Sequence, residues 1–443
     1  MKESILGTEK IGVLFWRYSI PGVAAMLFLA LNTIVDGFFV GNYVGVSGLA
    51  SVNIAMPFTS LMLAICVMAG LGAQSMIGRA LGGGNLQQAK DVFKTSLLLV
   101  GLAAAGFAMA AAVFPQLIAQ VLGANEAIID QTALYIRYVG IFLPCLALMM
   151  VLDYVLKTIG LPIYAMGVLV TAVCCHMFFN WLLIAQLSMG IKGAALATGI
   201  AYTTAFVLAL LPILQRQNRQ RFFGGAFNLR LGGHILYTGS SEGLNEAGTG
   251  VTTFLFNFVL MRYVGDSGVA AFTVISYLAF GCNNLLIGLA DGIGAIVSYN
   301  YGSRQFARVK KIFKFGTVAA FSIGAVLFLG MVLYSRDVIA LFLPAGNERV
   351  LEFAAYGAQL YAAAFLLNGF NIVASGYFTA IGQANHAVCI ALSKGILGVG
   401  AGVLILPLLL GINGIWLAVP LAEGLAMALS VFLLRRHFIC RLR

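Results

Sequence analysis

Charge is scarce in this chain. Only 9% of its 443 residues are Asp, Glu, Lys or Arg, against roughly a quarter in an ordinary soluble domain. Too few polar groups remain to cover a water-facing surface, which argues against a soluble globular fold. Histidine numbers four, and no His-Glu-x-x-His motif occurs. The seven cysteines (Cys66, Cys145, Cys174, Cys175, Cys282, Cys389 and Cys440) form no Cys-x-x-Cys pair. Neither a zinc site nor a disulfide framework is expected from them. There is no Walker lysine motif, and Gly292-Ile-Gly294 lacks the third glycine of a dinucleotide fingerprint, so transport would have to run on an ion gradient. Gly239-Ser-Ser-Glu-Gly243 fits G-x-S-x-G, but that motif acts on a strand-to-helix elbow and here opens an apolar helix. An intramembrane enzyme would need a partner for Ser241 or His176 that the sequence does not supply. No catalytic residue, metal site or cofactor is expected, and the chain does not read as an enzyme.

What is abundant is apolar. Hydrophobic residues make up 61% of the chain, and the mean hydropathy is +0.98. A bilayer core of about 30 Å needs about 20 such residues per helix. That ruler predicts spans near 18–41, 48–71, 91–113, 133–158, 163–185 and 193–214. A second set follows near 234–261, 267–290, 312–334, 353–380, 387–409 and 413–434. The expected fold is an all-α integral membrane protein of twelve transmembrane helices. Its first apolar stretch, from Tyr18, is too long for a signal peptide and reads as a retained span. Between the sets, Gln215 to Arg230 carries Arg216, Arg219, Arg221 and Arg230 without one acid. The chain therefore divides into 1–214, a basic cytoplasmic linker 215–232, and 233–443.

The formal net charge of +11 does not point to nucleic acid, because the bases lie between apolar runs rather than on one soluble face with aromatic platforms. Topology explains it better. With the N-terminus cytoplasmic, 21 of the 26 Lys and Arg residues fall inside, leaving Arg137, Lys192, Arg262, Arg336 and Arg349 outside. Such a bias orients short-looped membrane proteins. Both termini are expected in the cytoplasm, with the chain in the cell membrane.

An internal repeat supports two related halves. Val44-Gly-Val-Ser-Gly-Leu-Ala50 matches Val264-Gly-Asp-Ser-Gly-Val-Ala270 at an offset of 220, which carries Gly82 onto Gly302 and Lys90, Phe93 and Lys94 onto Lys310, Phe313 and Lys314. Six spans per half make the repeats parallel, a pattern of secondary transporters.

Ionisable groups inside spans are costly and are functional candidates by default. Asp36, Asn180 and Thr198 each lie five residues from the outer end of their spans, with His176 one turn deeper. All three helices thus place a polar group about 7–8 Å below the outer boundary, as one polar pocket would require. Asn180 and Thr198 alone could equally be interhelical packing; a lone carboxylate such as Asp36 is poorly suited to that. Glu242 and Glu246, spaced i, i+4, share one helix face and should titrate as a coupled pair. Glu423, in Pro420-Leu-Ala-Glu-Gly424, either faces the same cavity or bonds another helix. Asp153 and Lys157 read as an intrahelical ion pair.

These residues bear a family resemblance. Asp36-Gly-Phe-Phe-Val-Gly41, Met56-Pro57, Thr158-Ile-Gly160, Gly193-Ala-Ala-Leu-Ala-Thr198 and Gly414-Ile-Trp416 with Pro420 and Glu423 resemble, in this order, the multidrug and toxic compound extrusion (MATE) transporters. The resemblance implies twelve helices in two pseudo-symmetric six-helix lobes around a central cavity, exchanging H⁺ or Na⁺ for cationic or amphipathic small molecules. It also implies that Asp36 anchors an N-lobe cation site joined by His176, Asn180 and Thr198; Glu242, Glu246 and Glu423 are, from their positions in the spans, the candidate acids of the C-lobe cavity. Where many members show Asn and then Asp four residues on, this chain has His176 and Asn180. Losing that carboxylate weakens a hard-oxygen Na⁺ site, and gaining an imidazole favours protonation, so H⁺ is expected over Na⁺. Membrane lipid and drug-like solutes are the expected partners, the expected state is a monomer, and the alternative reading is a flippase for lipid-linked saccharides.

Overall fold

The computed structural model describes residues 4–342 and 348–441, and among them there is no strand. In chain order the elements are α1 (Ile5–Thr8), α2 (Ile11–Phe39), a π-helical turn π1 (Val40–Val44), α3 (Val46–Gly82), α4 (Leu86–Val113), α5 (Pro115–Val121) and α6 (Ile129–Thr158). Then come α7 (Pro162–Asn180), a second π-helical turn π2 (Trp181–Gln186), α8 (Gly190–Leu214), α9 (Arg216–Phe222), α10 (Leu229–Thr238) and α11 (Ser240–Tyr263). The last are α12 (Asp266–Gly302), α13 (Phe306–Ala340), α14 (Glu348–Ala380), α15 (Ala384–Lys394), α16 (Gly398–Leu410) and α17 (Ile412–Arg441).

Among the described residues, eleven helical segments are long and apolar enough to cross a membrane. They coincide with every expected span except the seventh. That span was expected to run unbroken over 234–261, but the helix breaks at Gly239, whose missing Cβ leaves room for the backbone carbonyl of Met68. Beyond the break, α11 has 24 residues, about 36 Å of helix and enough to cross. Its Asn, Thr and Gly residues, with Glu242, Glu246 and Arg262, make it less apolar than the other spans. Large apolar side chains such as Leu102, Met109, Leu408 and Leu425 point outward, as lipid-facing helices require.

The repeat is written into the helix bounds. α3 and α12 both have 37 residues and start 220 apart, and α4 and α13 start at Leu86 and Phe306, at the same offset. Gly45 and Gly265, the residues that open α3 and α12, both take left-handed backbone conformations, with φ of 92° and 78°. In the next turn, Gly84 at φ 76° is answered by Arg304 at φ 58°.

The chain forms two compact units. The first contains residues 4–9, Ile20–Gly239 and Ser298–Arg304; the second contains Lys10–Ser19, Ser240–Val297 and the described residues from Gln305 onward. Small residues dominate the first core: Ala104 and Ala111 of α4, Ala147 of α6 and Ala195, Ala205 and Ala209 of α8 are fully buried. Lipid is as apolar as leucine, so close backbone approach between small side chains is what holds such helices together. In the second unit the buried Trp416 packs against Phe353, with ring centroids 5.6 Å apart.

The basic segment after α8 is structured. Phe222 of α9 stacks near Phe93, 4.9 Å between centroids, and Asp91 Oδ1 accepts the Ala226 backbone N–H at 2.8 Å. The expected intrahelical pair is present, with Lys157 Nζ 2.7 Å from Asp153 Oδ2.

Candidate functional site

In the first unit, α2, α7 and α8 bring all four expected residues together. Asn180 Nδ2 donates to Asp36 Oδ1 at 2.9 Å. His176 Nε2 lies 3.6 Å from the same oxygen, 3.2 Å from Thr198 Oγ1 and 3.4 Å from Asn180 Nδ2. Thr198 is fixed by donating to the Ala194 carbonyl at 3.0 Å. His176 and Asn180 are buried, while the Asp36 side chain is 25% exposed.

The hydrogen bonds assign the imidazole tautomer. His176 Nδ1 is 2.8 Å from Asn32 Oδ1; an amide oxygen only accepts, so Nδ1 carries the hydrogen. Nε2 then presents its lone pair to the Asn180 amide and toward Asp36. A proton added to His176 would turn the 3.6 Å gap into a charge-assisted contact, and one added to Asp36 would make a neutral O–H donor toward Nε2. The Asn180 Oδ1 atom is buried and has no partner among the described residues. Asp36 and Asn180 also stand within a turn of π1 and π2, a geometry often found at functional positions.

In the second unit the three expected acids fare differently. Glu423 of α17 is 6% exposed, and its Oε2 accepts from Asn371 Nδ2 of α14 at 2.7 Å. Asn371 Oδ1 in turn accepts from Ser430 at 3.1 Å. Of the two openings left for Glu423, bonding to another helix is therefore realised. Glu242 of α11 is half-buried and accepts from Asn245 at 3.2 Å, whereas Glu246 is exposed. Lys394, at the end of α15, donates to Asn368 Oδ1 at 3.3 Å and lies within electrostatic range of both Glu242 and Glu423.

A model of the family described as MatE matches residues 21–182 and 247–404. The chain belongs to the MatE family. A multidrug export protein, MepA, of Staphylococcus aureus strain MRSA252 is 23% identical over 431 residues, covering 95% of this chain and 93% of that one. The Staphylococcus saprophyticus protein of the same name is 24% identical over 430 residues, with the same coverage. Among solved structures, an outward-facing multidrug resistance MATE family transporter superposes with a TM-score of 0.91 at 20% identity, over 99% of this chain and 98% of that one. The MATE multidrug transporter DinF-BH matches with a TM-score of 0.88 at 25% identity, over 99% of this chain and 98% of that one. A MatE protein is a multi-pass membrane transport protein.

Several site residues of this MatE chain escape a sequence reading. Asn32 lies one turn before Asp36, on the same helix face, and the i, i+4 spacing was the available signal. Tyr135 of α6 bonds Thr198 and, with Tyr202 of α8, lies in the field of Asp36; aromatic residues in apolar helices give no such warning. Asn368 and Asn371, spaced i, i+3, mark a polar face within α14. Lys394 is the largest correction. Counted with the inner span ends, it stands instead well inside the eleventh span, because helix begins at Ala384 and breaks after Lys394.

Proposed function

We propose that this MatE protein is a proton-coupled antiporter that exports cationic or amphipathic small molecules across the cytoplasmic membrane, with both termini in the cytoplasm. The observation that carries the reading is the Asp36–His176 pair, with Nε2 and Oδ1 3.6 Å apart and the other ring nitrogen already bonded to Asn32. One proton on that pair has two acceptors in one pocket, so loading and unloading it changes the charge of the site without moving the backbone. The imidazole supports H⁺ over Na⁺: His176 Nε2 offers a basic nitrogen beside Asp36, although Thr198 Oγ1 and Asn180 Oδ1 are oxygens of the same site. The export of drug-like solutes named for the staphylococcal relatives supports the cargo class, as do the acids within the second unit. The flippase alternative expected more spans than the eleven apolar segments and α11 supply.

Exchanging one H⁺ for one monovalent cation is electroneutral. A pH unit then supplies ~1.4 kcal/mol, about tenfold accumulation. The test is uptake of a fluorescent cation by proteoliposomes under separately imposed gradients. A pH gradient should drive transport with Na⁺ replaced by choline. Transport that follows the Na⁺ gradient and ignores the pH gradient would defeat the proton reading.

A further inference from the structure

The second unit carries a lysine where membrane helices rarely tolerate one. The span Ala384–Leu410 has 27 residues, and Lys394 is its eleventh, about 15 Å along the axis from Ala384. Its polar neighbours also lie well inside their helices. Asn283 is eighteenth of 37 residues in α12, Asn368 twenty-first of 33 in α14 and Glu423 twelfth of 30 in α17. The other basic residues of α11, α13, α14 and α17 lie within about two turns of a helix end.

The span is discontinuous at this point. α15 ends on Lys394, residues 395–397 form a turn, and α16 resumes at Gly398. Gly248 of α11 packs against the turn, with its Cβ position 3.8 Å from the Gly395 Cα. A half-helix that ends inside a membrane turns its last carbonyls, the negative end of its dipole, toward the middle of the protein. In transporters such ends commonly coordinate the coupling cation. Here the residue at that end is itself a cation. Its ammonium donates to Asn368 Oδ1 at 3.3 Å, Asn368 Nδ2 donates to Asn283 Oδ1 at 2.6 Å, and one turn along α14 Asn371 holds Glu423. Glu242 of α11 lies within electrostatic range of the same lysine. An isolated charge at this depth would be prohibitive, so lysine and acids account for one another.

We propose that Lys394 is a tethered cation: its ammonium, held by Asn368 Oδ1, takes the place that a free monovalent cation would otherwise occupy between Asn368, Glu242 and Glu423. The second unit then binds no Na⁺ of its own. This stands apart from the proton site at Asp36 and does not depend on it.

The test is binding of ²²Na⁺ to purified protein in nanodiscs, with Asp36→Asn as the background so that the first unit is silent. The Asp36→Asn protein should bind no Na⁺ saturably. Adding Lys394→Gln should create saturable Na⁺ binding where the background shows none, and adding Glu423→Gln should remove it. Saturable binding with Lys394 in place, or none in a folded Lys394→Gln protein, would overturn the proposal. If Lys394→Gln does not fold, neutralising the acids together with the lysine (Glu242→Gln, Glu423→Gln, Lys394→Gln) should restore folding, because the charges compensate one another. A triple variant that also fails to fold would equally count against it.

Discussion

Asp36 and His176, 140 residues apart in the chain, meet with Oδ1 3.6 Å from Nε2, and the Asn180 amide reaches both, at 2.9 Å and 3.4 Å. The bridge is directional. Asn180 can only donate to these two acceptors, so it stabilises the deprotonated pair and holds both lone pairs toward the same space. A proton entering there must displace or share those amide hydrogens.

Replacing Asp36 with Asn keeps the volume and the acceptor oxygen but removes the charge that switches. Expression and thermal stability should stay near those of the unaltered protein, while export driven by a pH gradient is lost. Undiminished export at normal expression would reduce Asp36 to a packing residue.

His176→Asn addresses the partner. Two interacting groups give a transport profile with two apparent titration steps. With Asn at 176 only the Asp36 carboxyl remains, and the dependence of initial rate on pH should simplify to a single step while export persists. An unchanged profile would show that the imidazole carries no proton.

The first site was legible because its spacing is regular. Three helices place Asp36, Asn180 and Thr198 at a common distance from their span ends, and distance along a helix converts directly into depth. The second unit hid its chemistry for the opposite reason. Reading Lys394 by depth requires knowing that helix begins at Ala384 and stops after Lys394, and a continuous apolar stretch conceals such a break. The split at Gly239 was masked in the same way, because the turn needs only a glycine against the Met68 carbonyl and leaves the hydropathy unaltered. The repeat was legible as an offset of 220, and the helix bounds keep it. The sites do not: Asp36 falls opposite Phe256, and Glu242 opposite Gly22. Backbone symmetry is visible in glycines and lengths, whereas the polar groups have diverged independently in each half.

The turn after α12 gives a stability prediction. Arg304 holds φ 58° where the first repeat uses Gly84 at φ 76°. A non-glycine residue in this region costs roughly 1–2 kcal/mol, against 0.4–1 kcal/mol for the added freedom of glycine when unfolded. Arg304→Gly should therefore be neutral or stabilising by up to ~1 kcal/mol, and Gly265→Ala should destabilise by about 1 kcal/mol or more. Thermal unfolding in detergent measures both, and a clear loss of stability for Arg304→Gly would mean that its side chain matters more than its backbone.

The buried Glu423–Asn371–Ser430 chain gives the last prediction. Glu423→Gln retains a carbonyl oxygen for Asn371 Nδ2, now held at 2.7 Å by the carboxyl, so the helix pair α14–α17 keeps its bond; Glu242 remains to compensate Lys394, and the cost should stay near ~1 kcal/mol. Asn371→Leu is the harsher change. It removes the donor to the Glu423 side chain, the donor to the Glu423 backbone carbonyl at 2.9 Å and the acceptor of Ser430. A buried polar group left without a partner costs about 1–3 kcal/mol, and here the Glu423 carboxylate and the Ser430 hydroxyl lose theirs at once, while the Glu423 carbonyl keeps its helical bond. Asn371→Leu should therefore unfold at markedly lower temperature than Glu423→Gln. In the double variant the penalty of the leucine should be smaller, because an amide is less costly to leave unpaired than a carboxylate. Equal unfolding temperatures for the two single variants would show that Glu423 is held by its surroundings rather than by Asn371. The ranking uses no transport assay, so it separates the structural role of Glu423 from any part the residue plays in moving cargo.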